Sequence, residues 1–302
     1  MLRTLESNQP IAWLAVPLSS VLVLSVWAGI SGNFNAAEIC REFGVSWLIL
    51  IATVRAIHIA HMSSGMSDRP TALPSWTAAV VGTVLLAQGA QQEVFTGLFA
   101  VVFSMRLALM VRSEQLATGL MFAASFIAGT ASLFDFSFVW GVPALLAGMA
   151  HMMRLRPATI MAWAMGALTP WWIAAAVWWL WRGPEAWVML LDSVPDLRVF
   201  SLEPLALWPF WLVLIWATVG LVIRTQKLST ATAQSRRTRM MTSTWSAVAL
   251  AAAWAFHPDH TPCGWFVLFA AWNVPATVPR KKYWGSAALW ALLVLAAMAT
   301  LL

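Results

Sequence analysis

Charge is what this sequence has least of. Of its 302 residues only 10% are Asp, Glu, Lys or Arg, where a soluble domain carries about 25%. So little charge cannot cover a water-facing surface, which excludes a soluble enzyme, a disordered chain and an ordinary nucleic-acid-binding protein. Tyrosine is nearly missing too, with Tyr283 alone against 21 tryptophans. The two cysteines, Cys40 and Cys263, are too few for a disulfide scaffold. They leave open one pairing in an oxidising outer compartment or two inert thiols. No cleavable leader is expected, because the first apolar run is long enough to span and lacks a small-residue cleavage site.

What the chain has instead is apolar length. It is 61% hydrophobic, with a mean hydropathy of +0.75. A membrane span needs about 20 mostly apolar residues. Windows of that size fall near 11–30, 45–62, 74–90, 94–111, 116–134, 136–153, 158–181, 205–223, 241–257, 263–279 and 284–302. The tight turn Phe134-Asp135-Phe136 leaves a second option, two halves of one broken helix. The expected fold is therefore all-α. It is a polytopic membrane protein, one transmembrane domain over 1–302 with about 11 transmembrane helices.

The charges orient it. With the N-terminus cytoplasmic, every Lys and Arg except Arg41, Arg182 and Arg198 falls on the cytoplasmic side. The acids there are only Glu6, Asp68 and Glu114. A miscount of one helix would scramble this separation, so the positive-inside rule favours N-terminus in and C-terminus out. A pI near 10.3 is then a matter of membrane orientation and gives no reason to expect nucleic acid.

Two connections are more than turns. Residues 182–203 mix Trp187, Leu190, Leu191 and Phe200 with Arg182, Glu185 and Asp192, and Pro184 and Pro195 interrupt them. This is expected to be an external interfacial segment. Residues 224–240 are Ser/Thr-rich and basic, a cytoplasmic loop near anionic headgroups. Trp13, Trp76, Trp140, Trp181, Trp208, Trp265 and Trp284 lie at expected helix ends, where an indole anchors a helix at the interface. The denser cluster from Trp171 to Trp181 fits either packing and belt roles or a sugar-stacking platform.

Ionisable groups inside a bilayer mark functional sites by default. Arg55, His58 and His61 lie on the second span, with 55, 58 and 62 on one helical face, and Arg106 lies at a similar depth on the fourth. Either the arginines snorkel to the cytoplasmic headgroups, or Arg55, His58 and Arg106 bind a lipid phosphate. His151 beside Arg154 and Arg156 reads as interfacial. His257-Pro258-Asp259-His260, followed by Cys263, offers zinc- or copper-type ligands, but Pro258 breaks the helix that would align them. No metal site is expected there, and no cofactor is indicated.

The acids Glu38, Glu42, Glu93, Asp135, Asp192, Asp196, Glu203 and Asp259 all fall on the external face. Enzymes that take sugar from a polyprenyl-phosphate donor keep a carboxylate there, as base or metal ligand. Glu38 and Glu42, four residues apart in the first external loop, are the candidate catalytic pair. The plainer reading is that external acids are what the positive-inside rule leaves behind.

Several short motifs recur together: Asn8-Gln9-Pro10, Arg106 through Arg112 leading into Ala131-Ser132-Leu133-Phe134, Arg154-Leu155-Arg156-Pro157, Gly166, Thr169-Pro170-Trp171, and Arg280-Lys281-Lys282-Tyr283-Trp284. Through them the chain resembles an uncharacterised family of Bacteroidota integral inner-membrane proteins of about this length, a domain of unknown function. Some members carry a beta-carotene monooxygenase label. Carotenoid cleavage needs several histidines around one iron, and here the histidines divide between the two membrane sides. After Arg156-Pro157 that family has a charged Arg-Glu-Trp stretch, where this chain has Ala162-Trp163. The resemblance implies a bacterial inner (cytoplasmic) membrane.

Three functions are expected in order. The first is cell-envelope biogenesis, as a polyprenyl-phosphate-dependent glycosyltransferase-like protein or its degenerate relative. The second is a non-catalytic subunit of a secretion, motility or lipid-trafficking complex, with a membrane-protein partner. The third is a transporter, ranked last because Pro17, Pro143, Pro170, Pro209 and Pro275 do not fall into two related halves. Whether the chain is an enzyme is left open. Its expected partners are the lipid bilayer and a polyprenyl-phosphate-linked lipid.

Overall fold

The computed structural model of the chain describes residues 10–31, 36–63, 71–87, 92–111, 114–152, 155–183, 208–226, 242, 245–252, 263–278 and 282–299. Its helices, in chain order, are α1 (Pro10–Ser31), α2 (Ala36–Ser63), α3 (Leu73–Ala87), α4 (Gln92–Leu109), α5 (Glu114–Phe134), α6 (Gly141–Met152), α7 (Pro157–Arg182), α8 (Trp208–Gln226), α9 (Cys263–Thr277) and α10 (Lys282–Ala299). A 3-10 helix, Phe136–Trp140, precedes α6, and residues 245–252 are also helical. No strand occurs among the described residues. That is the form a chain takes when its backbone polar groups must be satisfied without water.

Five stretches are long and apolar enough to cross a membrane: Gly44–Met62, Gln92–Leu109, Leu116–Phe134, Pro157–Trp181 and Pro209–Gln226. Shorter apolar helices, such as Leu73–Ala87 and Gly285–Leu295, accompany them. This is the make-up of a multi-pass membrane protein. Outward faces are aliphatic and aromatic, as at Leu18, Leu48, Ile215 and Val294.

The packing has a centre. Every residue of α3 is buried, because α1, α2, α9 and α10 all pack against it. Its 15 described residues are enclosed by those four helices over their whole length. A second set builds outward from α4 through α5 to α7. There small residues bring backbones together: a Cβ added to Gly129 would lie 2.5 Å from the carbonyl oxygen of Ala167. One added to Gly166 would meet Ser125 Oγ and the Phe122 carbonyl. Small residues do this between apolar helices because close approach maximises dispersion contact.

Contacts fix the relative directions. Ser104 Oγ donates to the Ala124 carbonyl and Gly97 abuts the Ala131 carbonyl, so α4 and α5 are antiparallel. Gly129 faces Ala167 and Trp171 Nε1 donates to Ser132 Oγ, so α5 and α7 are parallel. Trp163 Nε1 donates to the Val142 carbonyl while Trp171 meets Phe136 edge-on, so α6 runs against α7. It follows that α5 and α6 are also antiparallel. The turn at Phe134-Asp135-Phe136 therefore reverses the chain and does not join two halves of one helix. Asp135 makes the reversal: its Oδ1 accepts from the Ser137 N–H at 2.9 Å and caps the 3-10 helix.

One expectation is corrected. Glu38 and Glu42 are not in a loop, because α2 begins at Ala36 and carries both in its first two turns. Ala36 and Ala37 favour helix there, and no Pro breaks the run to Ser63, which carries Gly44 within it. Of the expected span at 241–257, the described residues 242 and 245–252 are helical. Trp245 donates its indole N–H to the Gly141 carbonyl at 3.0 Å, and its ring meets that of Trp265 at 6.0 Å, so it packs against the starts of α6 and α9. Segments 182–203 and 224–240 lie almost wholly outside the described residues.

Candidate functional site

The polar groups of α2 divide by face. Val54, Ile57, His58 and His61 point into the bundle, whereas Arg55 and Met62 are exposed. The arc shared by 55, 58 and 62 thus straddles the edge of the helix. His58 stands inside it and Arg55 outside.

Helix pairing sets what His58 and His61 meet. Gly82 of α3 abuts Leu50 of α2, and the two helices are antiparallel, so one helical repeat back brings Ser75 to the level of His58. The His61 ring stacks on that of Trp272, 5.9 Å between centroids and 28° between planes. Phe266 shares a groove with Val80, Val81 and Val84, which runs α9 antiparallel to α3 and sets Trp272 and Asn273 level with Trp76 and Ser75. One layer of the bundle, in the half where α2, α8 and α9 end and α3 begins, therefore gathers His58, His61, Ser75, Trp76, Trp272 and Asn273.

This layer has unmet hydrogen bonds. Ser75 Oγ, Trp76 Nε1, Trp272 Nε1 and Asn273 Oδ1 are buried without a hydrogen-bond partner. All four side chains belong to residues that are buried in the apolar interior. Asn273 Nδ2 donates to the Phe269 carbonyl at 2.9 Å, which leaves the oxygen as the open valence. Leaving such a group unmatched costs about 1–3 kcal/mol, so a set at one level calls for a ligand or water to complete it.

Arg106, half-buried in the last turn of α4, does not join Arg55. Thr53 Oγ1 lies 3.5 Å from the Phe95 carbonyl and α2 runs parallel to α4, so Arg106 falls about two and a half turns beyond Arg55. It lies past the end of α2, on the same side of the bundle as His61. Glu38 and Glu42 sit at the opposite end of α2. The histidines at 257 and 260 lie outside the described residues, as does any contact of Cys40 with Cys263. Among the described residues no group of three His, Cys, Asp or Glu is close enough to hold a metal.

Ser75, Trp76, Trp272 and Asn273 are the site residues that sequence reasoning passed over. Asn273 carried a signal: an amide in the middle of Cys263–Thr277 is out of place in a span. The tryptophans carried none, because a buried indole looks like an anchoring one until its neighbours are known. Comparison with protein-family models, with curated proteins and with solved structures gave no match.

Proposed function

We propose that this chain is an inner-membrane protein of cell-envelope biogenesis that binds a polyprenyl-phosphate-linked lipid from the cytoplasmic side. It has eleven spans, the N-terminus in and the C-terminus out, and acts as a glycosyltransferase-like protein. The observation that carries the reading is the burial of His58 and His61 inside a helix apolar enough to span, with His58 one turn from the exposed Arg55 and His61 nearly two. Imidazoles within apolar surroundings cost free energy and are kept for binding or chemistry. A guanidinium at the rim supplies the charge that a phosphate pairs with. Arg106 stands further toward the headgroups as a second cation on the same approach. The alternating directions of α4 through α7 support the expected topology. Glu38 and Glu42, at the far end of α2, are the proposed catalytic carboxylates on the external side, for a sugar-bearing head presented there and not for the phosphate held at Arg55 and His58.

The test is lipid retention. The full chain, extracted in mild detergent and loaded with undecaprenyl phosphate, should keep that lipid in native mass spectra. Arg55→Ala and His58→Ala should each lower the retained fraction several-fold. Retention equal to wild type in the double variant rejects the reading. Glu38→Gln and Glu42→Gln should leave retention intact and abolish sugar transfer.

A second reading, a non-catalytic subunit of a membrane complex, draws on α7. Its outward face carries Trp172, Trp178, Trp179, Leu180 and Trp181, all exposed. A stoichiometric partner co-purifying in mild detergent favours it, and a monodisperse lone protomer counts against it.

A further inference from the structure

We infer that the outer end of α7 is a ledge that binds a sugar, with the indoles of Trp178 and Trp181 as its stacking wall and the Asp135 carboxylate as its hydroxyl acceptor. The inference rests on the reading proposed above for its sidedness and for a lipid-linked source of the sugar. The ledge itself rests on independent geometry.

Two parallel helices that end at different heights make the ledge. Gly129 of α5 faces Ala167 of α7, and Trp171 donates to Ser132 Oγ at 3.0 Å. That register puts Asp135, the residue after α5 ends, level with Ala174. From there α7 runs on to Arg182, about two turns or 12 Å further. Its apolar stretch Pro157–Trp181 has 25 residues, about 37 Å of helix against a hydrocarbon core of about 30 Å. The overhang therefore stands at headgroup level.

Residues 176–181 are all exposed, and the indoles of this end of α7 lie on two sides. Trp172 and Trp179, seven residues apart, continue the lipid-facing side of Met165 and Leu168. Anchoring in the interface accounts for that pair. Trp171 and Ala174 lie on the α5 side and are half-buried. Seven residues on, Trp178 and Trp181 continue that side past the end of α5, 41% and 85% exposed. They stand over a neighbouring helix end, which anchoring does not require. Asp135 lies about one turn below Trp178 and one helix spacing of about 8–10 Å across, a gap on the scale of one or two pyranose rings. The C–H face of such a ring is apolar and stacks on an indole, while its hydroxyls donate to a carboxylate. Asp135 is half-buried, and the Ser137 N–H that bonds its Oδ1 at 2.9 Å fixes the side chain and leaves the other oxygen for a ligand.

Saturation-transfer NMR reads the ledge directly. The full chain is placed in nanodiscs of phosphatidylethanolamine and phosphatidylglycerol. The methyl glycosides of glucose, mannose and N-acetylglucosamine are added in turn, with cyclohexylmethanol as a ring without the hydroxyl pattern. At least one glycoside should be saturated, its ring C–H protons most strongly. No signal above empty nanodiscs, or equal saturation of cyclohexylmethanol, overturns the ledge. Trp178→Leu and Trp181→Leu should each cut the transfer several-fold, whereas Trp172→Leu and Trp179→Leu should leave it unchanged. Equal losses in all four overturn the assignment of sides. Trp181 is so exposed that its variant serves if Trp178→Leu does not fold. Asp135→Asn keeps the cap and removes the charge, so it should lower the transfer several-fold, and an unchanged signal overturns the acceptor. Prenyl-phosphate glucose in the nanodisc should compete with the soluble glycoside, and a lack of competition upholds the ledge and rejects the lipid-linked source. Glycoside binding without undecaprenyl phosphate retention upholds the ledge and rejects the polyprenyl reading, while retention without glycoside binding overturns the ledge alone.

Discussion

His61 and Trp272 lie face against face, 5.9 Å apart and 28° from parallel, although more than two hundred residues separate them. This stack joins α2 to α9 through His61 and forms one wall of the polar layer. It separates a structural role from a binding one. His61→Phe keeps a ring against Trp272 and removes both nitrogens, so the thermal unfolding midpoint in detergent should stay near wild type while undecaprenyl phosphate retention falls. His61→Ala opens a cavity that costs about 2 kcal/mol or more, and its midpoint should drop clearly.

The α5–α7 contact is set by backbone approach. A Cβ at Gly129 would stand 2.5 Å from the Ala167 carbonyl oxygen, which has no side-chain freedom to give way. Gly129→Val should destabilise the protein by about 1–3 kcal/mol through overpacking. Gly119→Ala, with open space around it, should not. Denaturant midpoints of the two variants measured in the same detergent decide the point.

Trp265 Nε1 donates to the Ser137 carbonyl at 2.8 Å and Trp245 Nε1 to the Gly141 carbonyl at 3.0 Å. Each Trp→Phe change should cost about 1 kcal/mol. Because the two rings also touch, the double variant should depart from the sum of the singles, which a double-mutant cycle of unfolding free energies measures.

Asp135 holds the α5–α6 reversal through one carboxylate contact to Ser137 N. Asp135→Ala should lower stability by about 1 kcal/mol and Asp135→Asn by much less, since the amide oxygen can still accept. Thermal midpoints of the two variants would show the order, and equal loss in both would reject capping as the role.

Topology is open to reporter fusions. Alkaline phosphatase joined after Leu302 or within residues 185–200 should be active, and joined within residues 229–235 inactive. The reverse pattern would invert the assignment of sides and move Glu38 and Glu42 to the cytoplasm.

Most helix positions were legible because apolar length and interrupting polar residues speak directly. The window 74–90 became Leu73–Ala87 and 158–181 became Pro157–Arg182, where Pro157 fixes the start by its dihedral and missing N–H. The start of α2 was not legible, since Glu38, Arg41 and Glu42 lower hydropathy while leaving helix propensity intact. Hydropathy reports the solvent and propensity the backbone, and only the first was weighed there. The site was half legible. Charge inside a span pointed to Arg55 and His58, but which of them faces inward depended on the partners of α2. Ser75 and Trp76 became candidates only through α9, a helix that no local pattern ties to α3.

The enclosure of α3 also has a consequence for biogenesis. Two of its four neighbours, α9 and α10, are the last described helices to leave the ribosome. About 175 residues separate Ala87 from Cys263, so at roughly 5–20 residues per second α3 waits on the order of ten seconds or more for its sheath. During that interval a helix whose every face is made for other helices must be shielded by the translocon, by lipid or by a chaperone. A nonsense mutation near the 3′ end of the message would therefore strand the third helix, and quality control should recognise the truncated chain by an N-terminal defect.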